Sequence, residues 1–291
     1  MENKILKNDV IDIIRLAISE DLGDAGDITS RYLIPPDKKS FSYIICKEKK
    51  GAILSGLDIA VFAFEEIDSR IKVKRFKKDG DRLEYEDRIC NISGPALSIL
   101  KAERTCLNFI QHMSGIATLT SEFVKIAEPY GVKIKDTRKT TPALRKIEKY
   151  AVLCGGGYNH RFGLFDGILI KDNHIAAAGG ILKAVEKIRA AISTIFPDLK
   201  IEVEVRDLNQ LDEALKARAD IIMLDNMNTR EIAEAVKMIR ERRGNLCEIE
   251  ASGNITLKNL SRICKTGVDT ISVGAITHSA PAVDFSMEFE Y

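Results

Sequence analysis

Ile201–Asn226, IEVEVRDLNQLDEALKARADIIMLDN, holds two strands and the helix that joins them. Ile201–Val205 alternates β-branched and acidic residues, the period-two pattern of a strand. Leu208, Leu211 and Leu215 then recur at three- and four-residue spacing, which draws one apolar stripe along a helix, and Asp220–Leu224 returns to strand. A strand, a short helical crossover and another strand form a parallel, right-handed unit.

The same unit repeats on both sides. Strands are predicted at Val132–Asp136, Gly167–Lys171, Cys247–Ala251 and Asp269–Val273. Helices are predicted where Leu182, Ala184, Val185 and Ile188 share a face, and over Thr229–Arg240, where Ile232, Val236 and Ile239 do so. No Gly-x-Gly-x-x-Gly turn or strand-order reversal marks a dinucleotide fold, so a βα barrel is expected ahead of an open doubly wound sheet. In a barrel the carboxyl ends of the strands converge on one face. Those ends carry Arg138 and Lys139, Lys171, Glu204, Asp225, Ser252-Gly253 and Gly274.

Cations crowd Lys135–His174 (KDTRKTTPALRKIEKYAVLCGGGYNHRFGLFDGILIKDNH), where Arg138, Lys139, Arg161 and Lys171 stand beside turn formers or strand ends. That placement is expected to line a cleft for polyanions, and the Gly155–Gly157 triplet is expected where backbone closely approaches another group. Over the whole chain of 291 residues, 44 Lys and Arg meet 43 Asp and Glu, a net charge of +1. A basic site is therefore local, and bulk nucleic-acid binding is excluded as an expectation. The six cysteines form no Cys-x-x-Cys pair and are read as reduced, mostly buried thiols. The opening MENKILKNDVIDIIRLAISEDLGD interleaves charge with apolar residues, unlike a signal peptide or membrane span, so no membrane association and a cytoplasmic location are expected.

Residues 1–115 read as a separate α+β region: an opening helix, strands in SFSYIICKEKKGAILSG and RIKVKRFKKDGDRL split by glycine turns, and a helix at Ala102–Phe109. The last stretch, Ala282–Glu290, reads as a strand returning to it. Domains are thus expected at 1–115, joined by 276–291, and at 116–275 for the barrel.

DLGDAGDITS, ERTCLNFIQHMSGIAT, KDTRKTTPALR, GGGYNHRFGLFD, LIKDNH, EVEV, IMLDN, EASGNI and TISVGAITHS stand in that order along nearly the whole chain. Together they resemble the motifs of the quinolinate phosphoribosyltransferase family. The resemblance implies an α/β protein with an amino-terminal α+β sandwich domain followed by a βα barrel, of the type II phosphoribosyltransferase kind. It implies transfer of phosphoribosyl from phosphoribosyl pyrophosphate to quinolinate with loss of carbon dioxide, giving nicotinate mononucleotide in NAD biosynthesis. Arg138, Arg161, Lys171 and His160, with Arg104 from a neighbouring subunit, would hold the quinolinate carboxylates, since a guanidinium fork meets a carboxylate through two parallel hydrogen bonds. Lys139 and Lys171 would hold the pyrophosphate. Glu204 and Asp225 would bind Mg2+ or ribose hydroxyls and stabilise positive charge at the anomeric carbon. Lys139, Lys171, Glu204 and Asp225 make up the implied catalytic set. Ser252, Gly253, Asn254 and Gly274, helped by His278, would receive the 5′-phosphate.

The partners implied are quinolinate and phosphoribosyl pyrophosphate, in a homodimer with shared sites or a higher homo-oligomer. Glu202 is expected to be a buried partner for Lys171 or Lys135, outside the core site. Two positions depart from the family pattern: Leu153, where arginine is common, and Arg206, where an acid or neutral residue is usual; neither is expected to touch an assigned role. DLGDAGDITS receives no chemical part. Three other readings compete. The related protein of molybdenum transport is disfavoured by the complete set of carboxylate-binding cations. A Schiff-base aldolase on Lys171 is disfavoured by flanking carboxylates that would keep the amine charged. A binding module for acidic ligands or RNA is disfavoured by the interleaved acids and the near-neutral chain.

Overall fold

The computed structural model describes residues 4–290; the ends of the expected 1–115 and 276–291 segments, Met1–Asn3 and Tyr291, lie outside the described residues. The chain folds as two compact units. The first comprises residues 1–121, 139–156 and 275–291, the second residues 122–138 and 157–274. The contiguous split expected at 115/116 therefore differs in two respects. The helix that leads out of the first unit is much longer than Ala102–Phe109, and residues 139–156 pack with the first unit although they follow a barrel strand.

In the first unit α1 (Lys7–Leu22) and α2 (Ile28–Leu33) precede β1 (Lys39–Cys46) and β2 (Ala52–Ile53). Next come α3 (Leu57–Ile67), β3 (Lys72–Arg75), β4 (Arg82–Leu83) and β5 (Arg88–Pro95), then α4 (Ala96–Ala127), whose last turns belong to the second unit. Later in sequence, α5 (Arg145–Cys154), α11 (Ala275–His278) and β12 (Phe285–Glu290) complete this unit. The sheet runs β12-β1-β5-β3, antiparallel throughout, so the carboxyl-terminal strand returns to pair with β1 as the sequence predicts. The DLGDAGDITS motif finds a structural part here. Gly23 and Gly26 take positive φ in the turn after α1, and Asp27 accepts the Ser30 N–H to cap α2.

The second unit holds β6 (Lys133–Lys135), β7 (Ile168–Ile170), α6 (Asp172–Ala178), α7 (Ile181–Ile192), β8 (Ile201–Val205), α8 (Leu208–Lys216) and β9 (Ile221–Asp225). It continues through α9 (Thr229–Arg243), β10 (Glu248–Ser252), α10 (Leu257–Cys264) and β11 (Thr270–Ser272). All six predicted strands are present, within about a residue of the expected boundaries. The parallel order is β6-β11-β10-β9-β8-β7, and Tyr158 adds a parallel bridge to Lys135 on the outer edge of β6. Tyr158 and β8 are thus five strand spacings apart, roughly 24 Å in a flat sheet. Yet His160, two residues past that bridge, lies with Nε2 3.1 Å from Glu202 Oε2 on β8. Only a sheet curled on itself brings them together, so the strands form a barrel.

Gly115 marks a close contact inside the first unit: a Cβ there would stand 2.1 Å from the Pro281 carbonyl oxygen. Helix propensity alone would favour Gly115→Ala by about 1 kcal/mol. Moving a main-chain segment aside costs about 1–3 kcal/mol. Gly115→Ala is therefore expected to lower the urea midpoint, and an unchanged or higher midpoint would show that the Pro281 segment yields freely.

Candidate functional site

At the carboxyl ends of β7, β8 and β9 the expected cluster assembles. Lys171 follows β7 and ion-pairs with Glu204, near the end of β8 and only 6% exposed. Asp225 closes β9. Arg206 contradicts its expected neutrality. Its guanidinium bonds Asp172 at 2.9 Å and approaches Glu204 at 3.9 Å and Asp225 at 3.8 Å, so it stands between the two carboxylates assigned to the chemistry. Sequence reading missed it because it follows the strand, where side-chain direction is no longer set by period two.

Arg138 and Arg161 form the second feature. The Arg161 guanidinium is held below its usual proton affinity by burial first and by the charge of Arg138 second, with Glu202 and Asp166 opposing. Arg138 therefore acts on Arg161 as a second positive charge nearby. The Arg161 loop is tightly specified. Asp166 accepts the N–H groups of Phe162 (2.7 Å) and Gly163 (2.9 Å), and Arg161 Nη1 donates to the Gly167 carbonyl at 3.0 Å. A Cβ on Gly167 would lie 3.0 Å from Arg161 Cβ, so the glycine lets that side chain pass.

Below these groups lies a buried polar layer. Lys135 on β6 donates to Glu250 (2.9 Å) and Glu248 (3.0 Å) on β10; Thr270 on β11 also donates to Glu250, at 3.1 Å. His160 Nε2 sits 3.1 Å from Glu202 and 3.5 Å from Glu250. The partners expected for Glu202 are therefore corrected: Lys171 pairs with Glu204 and Lys135 with Glu248 and Glu250, while Glu202 faces a histidine. Burial works to lower the Lys135 proton affinity, but Glu250 and Glu248 outweigh it and raise it. Burial raises that of Glu202, against the pull of His160. For His160, burial is outweighed by Glu202 and Glu250, so the ring holds its proton more firmly. The other ring nitrogen, Nδ1, accepts the Arg161 N–H at 2.8 Å; that contact opposes a second proton on the ring against the pull of the carboxylates and places the one proton on Nε2. Both ring nitrogens face protein groups, so the expectation that His160 holds a substrate carboxylate is not what its geometry offers.

The loops expected to take phosphate lie side by side after β10 and β11, whose ends pair Ser252 with Ser272. Gly253 has φ +91°, and a Cβ there would meet Asn226 Oδ1 at 2.2 Å and its nitrogen at 2.9 Å. Asn226 and Asn254 also adopt positive φ and bond each other at 3.0 Å. Gly274 follows β11, and α10 starts after Thr256 as predicted.

Arg104, Lys139 and His278 belong to the first unit. Arg104 is exposed on α4, with no carboxylate at ion-pair distance among the described residues. Lys139 is exposed, and its carbonyl accepts the Thr277 hydroxyl at 2.8 Å. His278 is exposed and its Nδ1 meets Ser279 Oγ at 2.7 Å. The close approach expected of the glycine triplet is to α4: a Cβ on Gly155 would stand 2.4 Å from the Ala117 carbonyl. Leu153 lies half-buried in the last turn of α5, away from any assigned side-chain role.

Residues 27–114 match the model of the quinolinate phosphoribosyl transferase N-terminal domain and residues 116–288 that of its C-terminal domain. A probable nicotinate-nucleotide pyrophosphorylase [carboxylating] of Bacillus subtilis is 45% identical over 269 residues, covering 92% of this chain and 89% of that protein. A mitochondrial quinolinate phosphoribosyltransferase [decarboxylating] of Nicotiana tabacum is 41% identical over 97% of this chain and 82% of its own length. The solved nicotinate-nucleotide pyrophosphorylase of Francisella tularensis is 42% identical and superposes with a TM-score of 0.91 over 99% of this chain and 98% of that one.

Glu204 and Asp225 supply hard oxygen donors, as magnesium prefers, but Lys171 and Arg206 already face them. Two carboxylates each opposed by a cation do not fit a resident magnesium ion held by the protein. Calorimetric titration of magnesium into the protein alone is expected to give no binding heat at millimolar concentration. A stoichiometric binding isotherm that Glu204→Gln or Asp225→Asn abolishes would place the ion on these carboxylates.

Proposed function

We infer that the quinolinate phosphoribosyltransferase family, to which this chain belongs, gives it activity as well as fold. The chain transfers phosphoribosyl from phosphoribosyl pyrophosphate to the ring nitrogen of quinolinate. Pyrophosphate leaves the anomeric carbon, a carboxylate leaves as carbon dioxide with a proton taking its place, and nicotinate mononucleotide remains. The Arg161 guanidinium, fixed by its loop through the Gly167 carbonyl with the charge of Arg138 nearby, is the observation that supports this reading at the residues, because a dicarboxylate needs fixed cations.

In the proposed division of labour, Arg138, Arg161 and Lys171 meet the quinolinate carboxylates, with Arg104 from a neighbouring subunit. Lys139 and Lys171 meet the pyrophosphate. Glu204 and Asp225 contact the ribose and stabilise charge as the anomeric carbon becomes cation-like. Ser252, Gly253, Asn254 and Gly274 take the 5′-phosphate with His278 beside it. Magnesium is proposed only as a counter-ion arriving on the diphosphate, since magnesium commonly enters sites on substrate phosphates.

A homodimer, or a higher homo-oligomer, is proposed on the resemblance. It is supported by an apolar groove of about 350 Å³ lined in part by Ile13, Leu16, Phe109 and Leu144, next to Asn108, one turn on from Arg104. Among the described residues no helix is long and apolar enough to cross a membrane. A cytoplasmic location is proposed, supported by six free cysteines, five of them buried.

Incubation with quinolinate, phosphoribosyl pyrophosphate and magnesium is expected to release carbon dioxide and nicotinate mononucleotide in equal amounts; either product alone overturns the reading. Arg161→Ala is expected to cost about 2–4 kcal/mol in kcat/KM, and nicotinate to be a poor substrate because cations would be left unpaired. Equal use of nicotinate and quinolinate would remove the dicarboxylate pocket.

The shared site has its own test. Arg104→Ala and Lys139→Ala proteins, each inactive, are expected to recover activity on mixing, towards about a quarter of wild type, since random exchange makes half the dimers mixed with one intact site each. No recovery after demonstrated subunit exchange would place Arg104 outside a neighbour's site.

A further inference from the structure

We propose that Glu202 is a positioning residue that sets the aim of Arg161 through the ring of His160. The proposal rests on the reading of Arg161 as a ligand for the quinolinate carboxylates, and its contacts are consecutive. Glu202 Oε2 accepts from His160 Nε2 at 3.1 Å, His160 Nδ1 accepts the Arg161 main-chain N–H at 2.8 Å, and Arg161 Nη1 donates to the Gly167 carbonyl at 3.0 Å. One ring nitrogen donates and the other accepts, which only the Nε2–H tautomer satisfies. A flipped ring would turn a C–H towards the Arg161 N–H and lose both bonds.

Glu202 is singled out from Glu250 by its partners. Glu250 also serves Lys135 and Thr270 through Oε2. Glu202 is 5% exposed, its Oε1 has no hydrogen-bond donor among the described residues, and its hydrogen-bonded partner is the histidine. A buried carboxylate held so sparsely is a poor stabilising device, because desolvation works against it. It is well suited to selecting a tautomer. The main-chain N–H of Arg161 is then anchored behind, while Asp166 closes the loop ahead through Phe162 and Gly163. The guanidinium is aimed between those two ties.

The chain has four histidines, so the ring nitrogens can be resolved in nitrogen-15 correlation spectra. Glu202→Met removes the acceptor while filling its space with an apolar chain, and it is expected to lower the melting temperature because one member of a buried pair keeps its polar group without the other. In this variant the His160 ring is expected to lose its single Nε2–H tautomer, and the KM for quinolinate to rise about tenfold or more, with a smaller change in kcat, a scale taken by analogy from the loss of carboxylates that orient metal-ligating histidines. Glu202→Gln, whose amide oxygen can accept the same proton, is expected to restore the tautomer and most of the KM. Glu202→Asp draws the acceptor back by one methylene; it is expected to shift both readouts as Glu202→Met does, and it serves if the methionine variant does not fold.

A wild-type tautomer and KM in Glu202→Met overturns the proposal. So does an equal loss of melting temperature, kcat and KM in both the Met and Gln variants, which would mark a structural role. The ring spectrum needs no substrate. Failure of the wild-type protein to turn over quinolinate would therefore strike the functional reading, while the spectra still decide whether Glu202 sets the ring.

Discussion

Charge buried inside the barrel is the constraint on which the rest of the second unit depends. Lys135, Glu250, Glu202 and His160 come from β6, β10, β8 and the segment beside β6, and they meet only because the sheet curls. Alternate strands fill each layer of a barrel interior. Apolar side chains could fill it too, and with less desolvation cost, since replacing buried ion pairs by packed hydrophobes is often neutral or stabilising. A polar layer here instead ties the interior to the strand-end face: His160 joins the layer through its ring and Arg161 through its neighbour's nitrogen. The buried layer and the Arg161 segment at the strand-end face are one hydrogen-bonded piece.

The strand-end cluster shows the complementary economy of charge. Lys171 and Arg206 confront Glu204, Asp225 and Asp172, so five ionic groups occupy the ends of three neighbouring strands and their nearest loop residues. Two cations against three carboxylates leave the cluster with one negative charge in excess. The Arg138 and Arg161 pair is the opposite case, two like charges held together by loops whose geometry is fixed by Asp166, Gly167 and the histidine. Cations fixed in place before an anion arrives need little reorganisation to meet one.

Much of this was legible in the residues. Period two in Ile201–Val205 and the leucine spacing of Leu208–Leu215 determined strand and helix, because the pattern of burial is written directly in such spacings. The repetition of that unit, with polar or small residues after each strand, determined that Lys171, Glu204 and Asp225 would converge. The motifs that resemble the family determined the chemistry to expect.

Tertiary structure alone decided which charge meets which. Glu202 and Glu204 share a facing on one strand, yet one turns to His160 and the other to Lys171, since curvature of the sheet, which no local pattern encodes, sets the distance across the barrel. Arg206 looked like a departure without consequence, and its position past the strand end brought it to both carboxylates. The glycine triplet signalled close approach, but only packing revealed that the neighbour is a helix. A sequence states what a residue can do and which face of its own element it occupies. Partners across an interior depend on three-dimensional distances between residues far apart in the chain, and those exist only once the chain has folded.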